Sequence, residues 1–303
     1  MRARQTILIA GPTASGKSDL ALTLAETIGA EIVNADAMQV YRDLDVLTAR
    51  PDAMMLARAR HHLFGEIDGC ERFSAGRWAS AAADIIGDIH GRNHPAIVVG
   101  GTGLYFRALV DGLSPIPDVP PEIRERARAR RDDIGARAFH DETASRDRAV
   151  LDIPPGDAQR CIRAWEVFEA TGKPLSFYQA LPSEPLISPD FVACILAPPR
   201  TTLYQRCDVR AASMVRAGAI EEVRALRARN LHSDLPVMKS LGVSEIGAML
   251  AGEIDHETAL AMLQQSTRRF AKRQMTWFRN QVPDWSMFED TPAALAHIKC
   301  ALG

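Results

Sequence analysis

The sequence predicts an α/β fold, a parallel sheet with helices on both faces, interrupted by an inserted all-helical domain. Three observations predict it. Short apolar runs alternate with amphipathic helical patterns up to Gly112, a proline-rich stretch then gives way to a polar, arginine-laden helical segment, and apolar strand character returns at Phe191.

Thr6-Ile-Leu-Ile-Ala10 is a short apolar run that ends in Gly11-Pro12, a glycine-bounded loop and a periodic segment from Lys17 to Ile28. That order reads as strand, loop and helix. Glu31-Ile-Val-Asn-Ala35 reads as a second strand running out at Asp36, and Pro95–Gly101 as another, after a helical pattern from about Ala75 to His90. Strands alternating with helices pair in parallel and need helices on both faces to cover them. Ser114-Pro-Ile-Pro-Asp-Val-Pro-Pro121 marks a linker, and a second loop carries Pro182, Pro185 and Pro189. The core is therefore expected over 1–114 and 189–303, with an inserted helical domain over 115–188. Phe191–Leu196 resumes the sheet, and helices dominate to the end.

Composition excludes several classes. The chain has 303 residues, 47% of them apolar, enough for a sizeable core. The net charge of −2 draws the whole molecule neither to nucleic acid nor to a membrane, so a polyanion must be met by local patches. Cys70, Cys161, Cys194, Cys207 and Cys300 are scattered, without zinc spacing, and read as reduced thiols. The first apolar stretch, about five residues, is too short for a signal sequence or membrane span. These features predict a soluble, cytoplasmic protein with no membrane partner, taken as a monomer.

Gly11-Pro12-Thr13-Ala14-Ser15-Gly16-Lys17-Ser18 fits G-x-x-x-x-G-K-[ST] at every fixed position and lies between a strand and a helix. Glycines let the backbone curl so that successive N–H groups face a phosphate. The helix N-terminus adds positive potential, Lys17 neutralises charge, and Ser18 can ligate Mg²⁺. The loop binds a polyphosphate. Which phosphate is bound, and what becomes of it, the motif does not say.

A hydrolysing NTPase carries a second apolar strand ending in an acid that holds Mg²⁺. Here the corresponding strand ends Val98-Val-Gly-Gly-Thr102, which leaves room for a ligand to approach the backbone. No Asn-Lys-x-Asp quartet for guanine is present. Asp36 sits at the C-terminal end of the second strand, where ligands gather in such sheets, and suits a general base or proton acceptor. Alternatively it caps the turn Asp36-Ala-Met-Gln39.

Between Gln264 and Gln281 no acidic residue occurs. At about 100° per residue, Arg268, Arg269, Lys272, Arg273 and Arg279 fall within an arc of roughly 140°, with Phe270, Trp277 and Phe278 on the neighbouring side. The cationic face suits a phosphate backbone or, more plainly, solvent. Arginine outnumbers lysine 31 to 5 across the chain, which weakens any inference from an arginine cluster. The run Arg124–Arg131 reads as a solvated helix, whereas Gln159, Arg160 and Arg163 share a helix face. Lys239 before Gly242 means little alone. The adjacent His61 and His62 point in different directions on any regular element and have no third ligand at useful spacing, so they do not make a metal site.

Gly11–Ser18, Asn34-Ala-Asp36-Ala-Met-Gln39-Val-Tyr41, Val99-Gly-Gly-Thr-Gly-Leu-Tyr105-Phe, Gln159-Arg160 through Phe168, and Lys272–Arg279 together resemble the tRNA dimethylallyltransferases, in the family's order over nearly the whole chain. The resemblance implies that the loop holds the diphosphate of dimethylallyl diphosphate, Thr13 to Ser18 lining it, with Mg²⁺ assisting. It implies that Asp36 receives the N6 amino group of the adenosine just 3′ of the anticodon, in tRNAs reading U-initial codons, with that base flipped from its stack. The tRNA would then meet Asp36, Ala37, Met38 and Gln39, the block Gln159, Arg160, Cys161, Ile162, Arg163, and Lys272, Arg273, Gln274, Met275, Thr276, Trp277, Phe278, Arg279. Thr102 and Arg124 match further base and tRNA positions, and Arg206 or Arg210 the diphosphate-binding arginine, while Lys239 is a further candidate tRNA contact.

The sequence departs from that pattern at Leu47, where a glycine is usual, and at Gly65, where an aspartate is usual. It departs again at Val243 and Ser244, where an aromatic and a basic residue are usual. Nothing resembles the zinc-finger extension of some relatives. The competing reading is a P-loop kinase for a small molecule or nucleotide, in which an acid after the second strand grips the phosphoryl acceptor.

Overall fold

The computed structural model describes residues 4–303. Six strands form one parallel sheet in the order β3-β2-β4-β1-β5-β6. They are β1 (Thr6–Ala10), β2 (Glu31–Asn34), β3 (His61–His62), β4 (Ala96–Gly100), β5 (Phe191–Leu196) and β6 (Ser286–Phe288). Side chains alternate across a strand, so β1 sends Ile7 and Ile9 to one face and Leu8 and Ala10 to the other. The first face is covered by α1 (Lys17–Ile28), through Leu20 and Leu24, and by α12 (Thr291–Leu302), through Ala294 and Ile298. The second is covered by α3 (Ala75–Gly91) through Trp78 and Ile86, and by α4 (Gly103–Val110) through Phe106 and Leu109. Phe278 of α11 (His256–Gln281) joins the same cluster, as do Val223 of α9 (Ile220–Ala228) and Ile246 of α10 (Val243–Leu250), while Met55 of α2 (Ala53–Arg58) packs against the first. Burial on both faces is what a parallel sheet requires.

Two strands go beyond the sequence reading. β3 and β6 are edge strands of two and three residues with no fully buried position, too short to show alternation.

The register positions the site. Ala10 lies opposite Gly100 and Asn34 opposite Val99, so the loops after β1, β2 and β4 emerge side by side at the carboxyl edge. In an open parallel sheet this edge, where connections leave in opposite directions, is where ligands bind.

The chain divides into two compact units, one running to Val110 and resuming over Pro185–Gly303, the other Asp111–Glu184. Each limit lies four residues before the 115 and 188 read from the prolines. At the two ends of the smaller unit Gly112, at φ +78, packs on the Glu184 backbone, and Ser183 Oγ donates to the Asp111 carbonyl at 2.7 Å. The smaller unit holds α5 (Pro121–Arg146, kinked at Gly135), α6 (Ala158–Thr171) and α7 (Leu175–Gln179) around Phe139, Val150 and Trp165. Among the described residues no helix is long and apolar enough to cross a membrane.

Candidate active site

The loop between β1 and α1 takes the shape its motif demands. Ala14 (φ +63) and Gly16 (φ +97) are left-handed, and a Cβ on Gly11 would strike the Leu196 carbonyl. The first N–H groups of α1 have no acceptor within the helix and carry its positive end. Lys17 Nζ donates to the Pro12 carbonyl at 3.1 Å, folding the ammonium back over the loop. Ser15 is buried, and its Oγ has no partner. Thr13 lines the same cavity as Lys17 and Ser18, and its own N–H donates to Gln274 Oε1 at 2.9 Å.

Asp36 is held by its neighbours. Asn34, wholly buried, accepts from the Asp36 N–H at 2.8 Å and donates to the Asp36 and Leu63 carbonyls. Trp78, stacked on Tyr105 at 4.1 Å, donates to the Asn34 carbonyl. The Trp78 contact carries no local sequence signal, whereas an amide just before a strand-end acid, as at Asn34, is a signal for such a brace. Asp36 Oδ1 accepts from the Met38 N–H at 2.9 Å, so the carboxylate does cap its turn. The capping uses one oxygen, and the same carboxylate lines a cavity with Lys17. Thr102 Oγ1 accepts from the Ala37 N–H at 2.9 Å, which leaves its O–H proton to donate.

That cavity, about 60 Å³, carries Thr13, Lys17 and Ser18 together with Asp36 and Arg210. Its remaining wall includes the apolar Ala21, Ile32, Met55 and Phe64. Gln39 Nε2 donates to the Thr48 and Ala49 carbonyls, both at 2.9 Å, and so holds the neighbouring loop in the wall. The two arginines of α8 (Arg200–Met214) separate here. Arg206 donates to the Ser15 carbonyl at 3.2 Å and braces the loop, whereas Arg210 lines the cavity.

Burial lowers the Lys17 pKa to about 8, against the attraction of Asp36 and with the help of Arg210. Burial also lowers that of Arg210, again opposed by Asp36. A phosphate entering this site favours the ammonium and raises the Lys17 pKa. Binding of inorganic diphosphate is therefore expected to take up a proton above pH 8 and to weaken by up to about tenfold per pH unit there. Calorimetry in two buffers of different ionisation enthalpy measures this; affinity that is flat from pH 8 to 9.5 contradicts it.

The glycines at the end of β4 do not leave the free space read from sequence. A Cβ on Gly100 would meet the Ala35 backbone, one on Gly101 the Gln274 amide, and one on Gly103 the Trp277 ring. Ala35, just after β2, and the side chains of α11 fill the space where an NTPase places its acid.

Comparison with known proteins bears on this geometry. The IPP transferase family model matches residues 39–281, and an isopentenyl transferase model matches residues 4–65. A tRNA dimethylallyltransferase of Phenylobacterium zucineum is 56% identical over 279 residues, 92% of this chain and 90% of the relative. This chain belongs to the tRNA dimethylallyltransferase family. The relative from a Caulobacter species with the same name is 50% identical, covering 93% of this chain and 92% of its own length. Among solved structures, the full-length tRNA isopentenylpyrophosphate transferase of Bacillus halodurans superposes with a TM-score of 0.70 at 31% identity. The match covers 99% of this chain and 97% of that one. A eukaryotic dimethylallyltransferase acting on tRNA shares the fold, with a TM-score of 0.75 at 24% identity over 90% of this chain and 70% of that one.

Within this family member the residues expected to meet tRNA fall into two groups. Arg269, Lys272, Arg273, Thr276 and Arg279 are exposed on α11, whereas Arg268 is paired with Asp208. Gln274 and Phe278 are buried, and Met275 packs on Leu203 and Cys207. In the smaller unit Gln159 and Arg160 are exposed, Ile162 and Arg163 partly so, and Cys161 is buried. Burial raises the pKa of Glu166, which lies 3.7 Å from Arg163 and feels Arg124 and Arg128. Lys239 pairs with Asp234 at 3.2 Å.

The departures from the family pattern have local explanations. Gly65, at φ +66, leaves space filled by the Arg50 guanidinium. Leu47 is buried against Gly242, Val243 is buried in the same cluster, and Ser244 Oγ donates to Glu245 at 2.7 Å. His61 and His62 are engaged separately, by the Ala59 carbonyl and by Glu31.

Proposed function

We propose that this chain transfers a dimethylallyl group from dimethylallyl diphosphate to N6 of adenosine 37 in tRNAs reading U-initial codons, releasing diphosphate. The observation that carries the reading is one cavity walled by Lys17, Ser18, Asp36 and Arg210 in a member of this family. The allylic C1–O bond breaks and its electron pair leaves on the diphosphate. The amine N6 forms the new bond to C1, and its proton passes to Asp36. Charge developing on the leaving group is met by the helix N-terminus, Lys17 and Arg210. Thr102, with a hydroxyl proton still available, is suited to orient the base.

Mg²⁺ fits the chemistry of the site. Among the described residues no cluster of three acidic, histidine or cysteine side chains exists to cage a metal. The ion would be held by the diphosphate with Ser18 as its protein ligand, as Mg²⁺ commonly is. When bound, it spreads the charge of the leaving diphosphate. Acting on tRNA in the cytoplasm, the enzyme needs no partner subunit in this reading.

The deciding experiment offers purified protein, Mg²⁺, labelled dimethylallyl diphosphate and unmodified tRNA with an A-A-A run at the anticodon edge. Label is expected in tRNA. No transfer, together with phosphoryl transfer from ATP to a small acceptor, would return the protein to the kinase reading.

The exposed cationic face of α11 is proposed to meet the tRNA backbone. Reversing Arg269 and Arg273 to glutamate is expected to weaken tRNA binding by at least about tenfold and to flatten its dependence on log salt by about two phosphate contacts. Filter binding at several salt concentrations measures both. Unchanged affinity assigns this face to solvent.

A further inference from the structure

Gln274 stands on the side of α11 opposite Lys272 and is only 6% exposed. Its Oε1 accepts from the Thr13 N–H and its Nε2 donates to the Gly101 carbonyl, each at 2.9 Å. The two partners are backbone groups at the two ends of the site. Thr13 lies in the phosphate loop, while Gly101 precedes Thr102, whose hydroxyl holds the Ala37 N–H beside Asp36. A Cβ on Gly101 would collide with the Gln274 amide, so carbonyl and amide meet without slack. A buried amide with both its acceptor and one donor engaged has a fixed orientation. Glutamine carries a donor and an acceptor on one plane; ionised glutamate keeps only the acceptor and methionine keeps neither.

We propose that Gln274 is a positioning residue for the transfer, a strut that sets the distance between the diphosphate loop and the Asp36–Thr102 turn and so aligns the breaking C–O bond with N6. The inference rests on the transfer reaction proposed above. Reacting atoms must lie about 3–3.5 Å apart in line, and a misplacement of about 1 Å lowers the rate by about 10²-fold. The strut thus acts on turnover, not on the affinity of either substrate.

The test compares Gln274→Met and Gln274→Glu with the wild type in the same transfer assay. Gln274→Met is expected to lower kcat by about 10²-fold while KM for tRNA stays within about threefold and inorganic diphosphate still binds. Gln274→Glu has a distinctive signature. Its ionised carboxylate accepts from Thr13 but repels the Gly101 carbonyl. Once protonated it offers a carbonyl to Thr13 and an O–H to Gly101, as the native amide does. The ratio of Gln274→Glu to wild-type kcat should therefore climb toward one as pH falls from 8 to 5.

A packing role predicts a lower Tm with kcat per folded molecule unchanged and a ratio independent of pH; either result overturns the proposal. Should Gln274→Met fail to fold, the Gln274→Glu ratio decides. Should the wild type itself transfer nothing, the reaction falls and the strut is judged separately by hydrogen exchange. Residues 11–18 must exchange faster in the variant that folds, and unchanged exchange rules the strut out.

Discussion

Replacing Asp36 with alanine is expected to lower kcat by about 10²–10⁴-fold, the range for loss of a positioned general base. The N6 amine of adenine is a weak nucleophile because its lone pair is delocalised into the ring. It must shed a proton as the C–N bond forms. Asp36 is the carboxylate that shares the cavity with Lys17 and Arg210. It also accepts from the Met38 N–H, so Asp36→Ala leaves that N–H without its partner and loses about 0.5–1.5 kcal/mol of stability. Asp36→Asn separates the two roles. The amide oxygen can still accept from Met38, the turn keeps its shape, and only the charge and basicity are gone. Asp36→Asn is therefore expected to lose only the stability that the Asp36 charge lends to Lys17 and Arg210 and still to bind inorganic diphosphate, yet to lose turnover as Asp36→Ala does. An Asp36→Asn enzyme with wild-type kcat would leave Asp36 as a turn cap and nothing more.

Some parts of this site were legible in the sequence and others were not, for physical reasons. The α1 limits follow from the glycine-bounded loop before it and the left-handed Gly29 after it, both local signals. β5 stands out because an apolar run bounded by prolines has few other fates. β3 and β6 have no such signal, since two or three residues carry no period and their pairing is decided by the neighbouring strand. Arg206 and Arg210 lie four apart on α8 and share a face by helical geometry, so no periodicity chooses between them. The choice comes from the docked loop, which offers the Ser15 carbonyl to one and the cavity to the other. Likewise the glycines after β4 announce a close approach but not by what. Gln274 and Trp277 reach them from α11, far along the chain. Spacing revealed the cationic arc of α11, but not that Arg268 is tied to Asp208 on another helix.

The Lys17→Met enzyme is expected to lose about 10²–10³-fold in kcat/KM for the donor, the scale for removing one electrostatic stabiliser of a developing anion, and yet to unfold at a higher temperature at pH 7. The two effects have one cause. Burial disfavours the ammonium and brings its pKa down to about 8 from an ordinary value of 10.5. Between those values the unfolded chain binds a proton that the folded chain has released, so folding is favoured as pH rises through the window. Below pH 8 both states are charged, and the folded state bears the full penalty of holding a cation in a half-buried site. Methionine removes that penalty at pH 7, offset in part by the lost hydrogen bond to Pro12. The gain in Tm should therefore shrink as pH rises from 8 and be gone near 10.5. Scanning calorimetry of both proteins across this range tests the sign. A Lys17→Met protein less stable than wild type at pH 7, or a gap that widens with pH, would mean that the ammonium is a structural ion and not a charge held ready for a diphosphate. In the proposed reaction the arriving diphosphate supplies the counter-charge that this cation lacks in the free protein, and the same cation meets the charge that grows as the allylic C–O bond breaks.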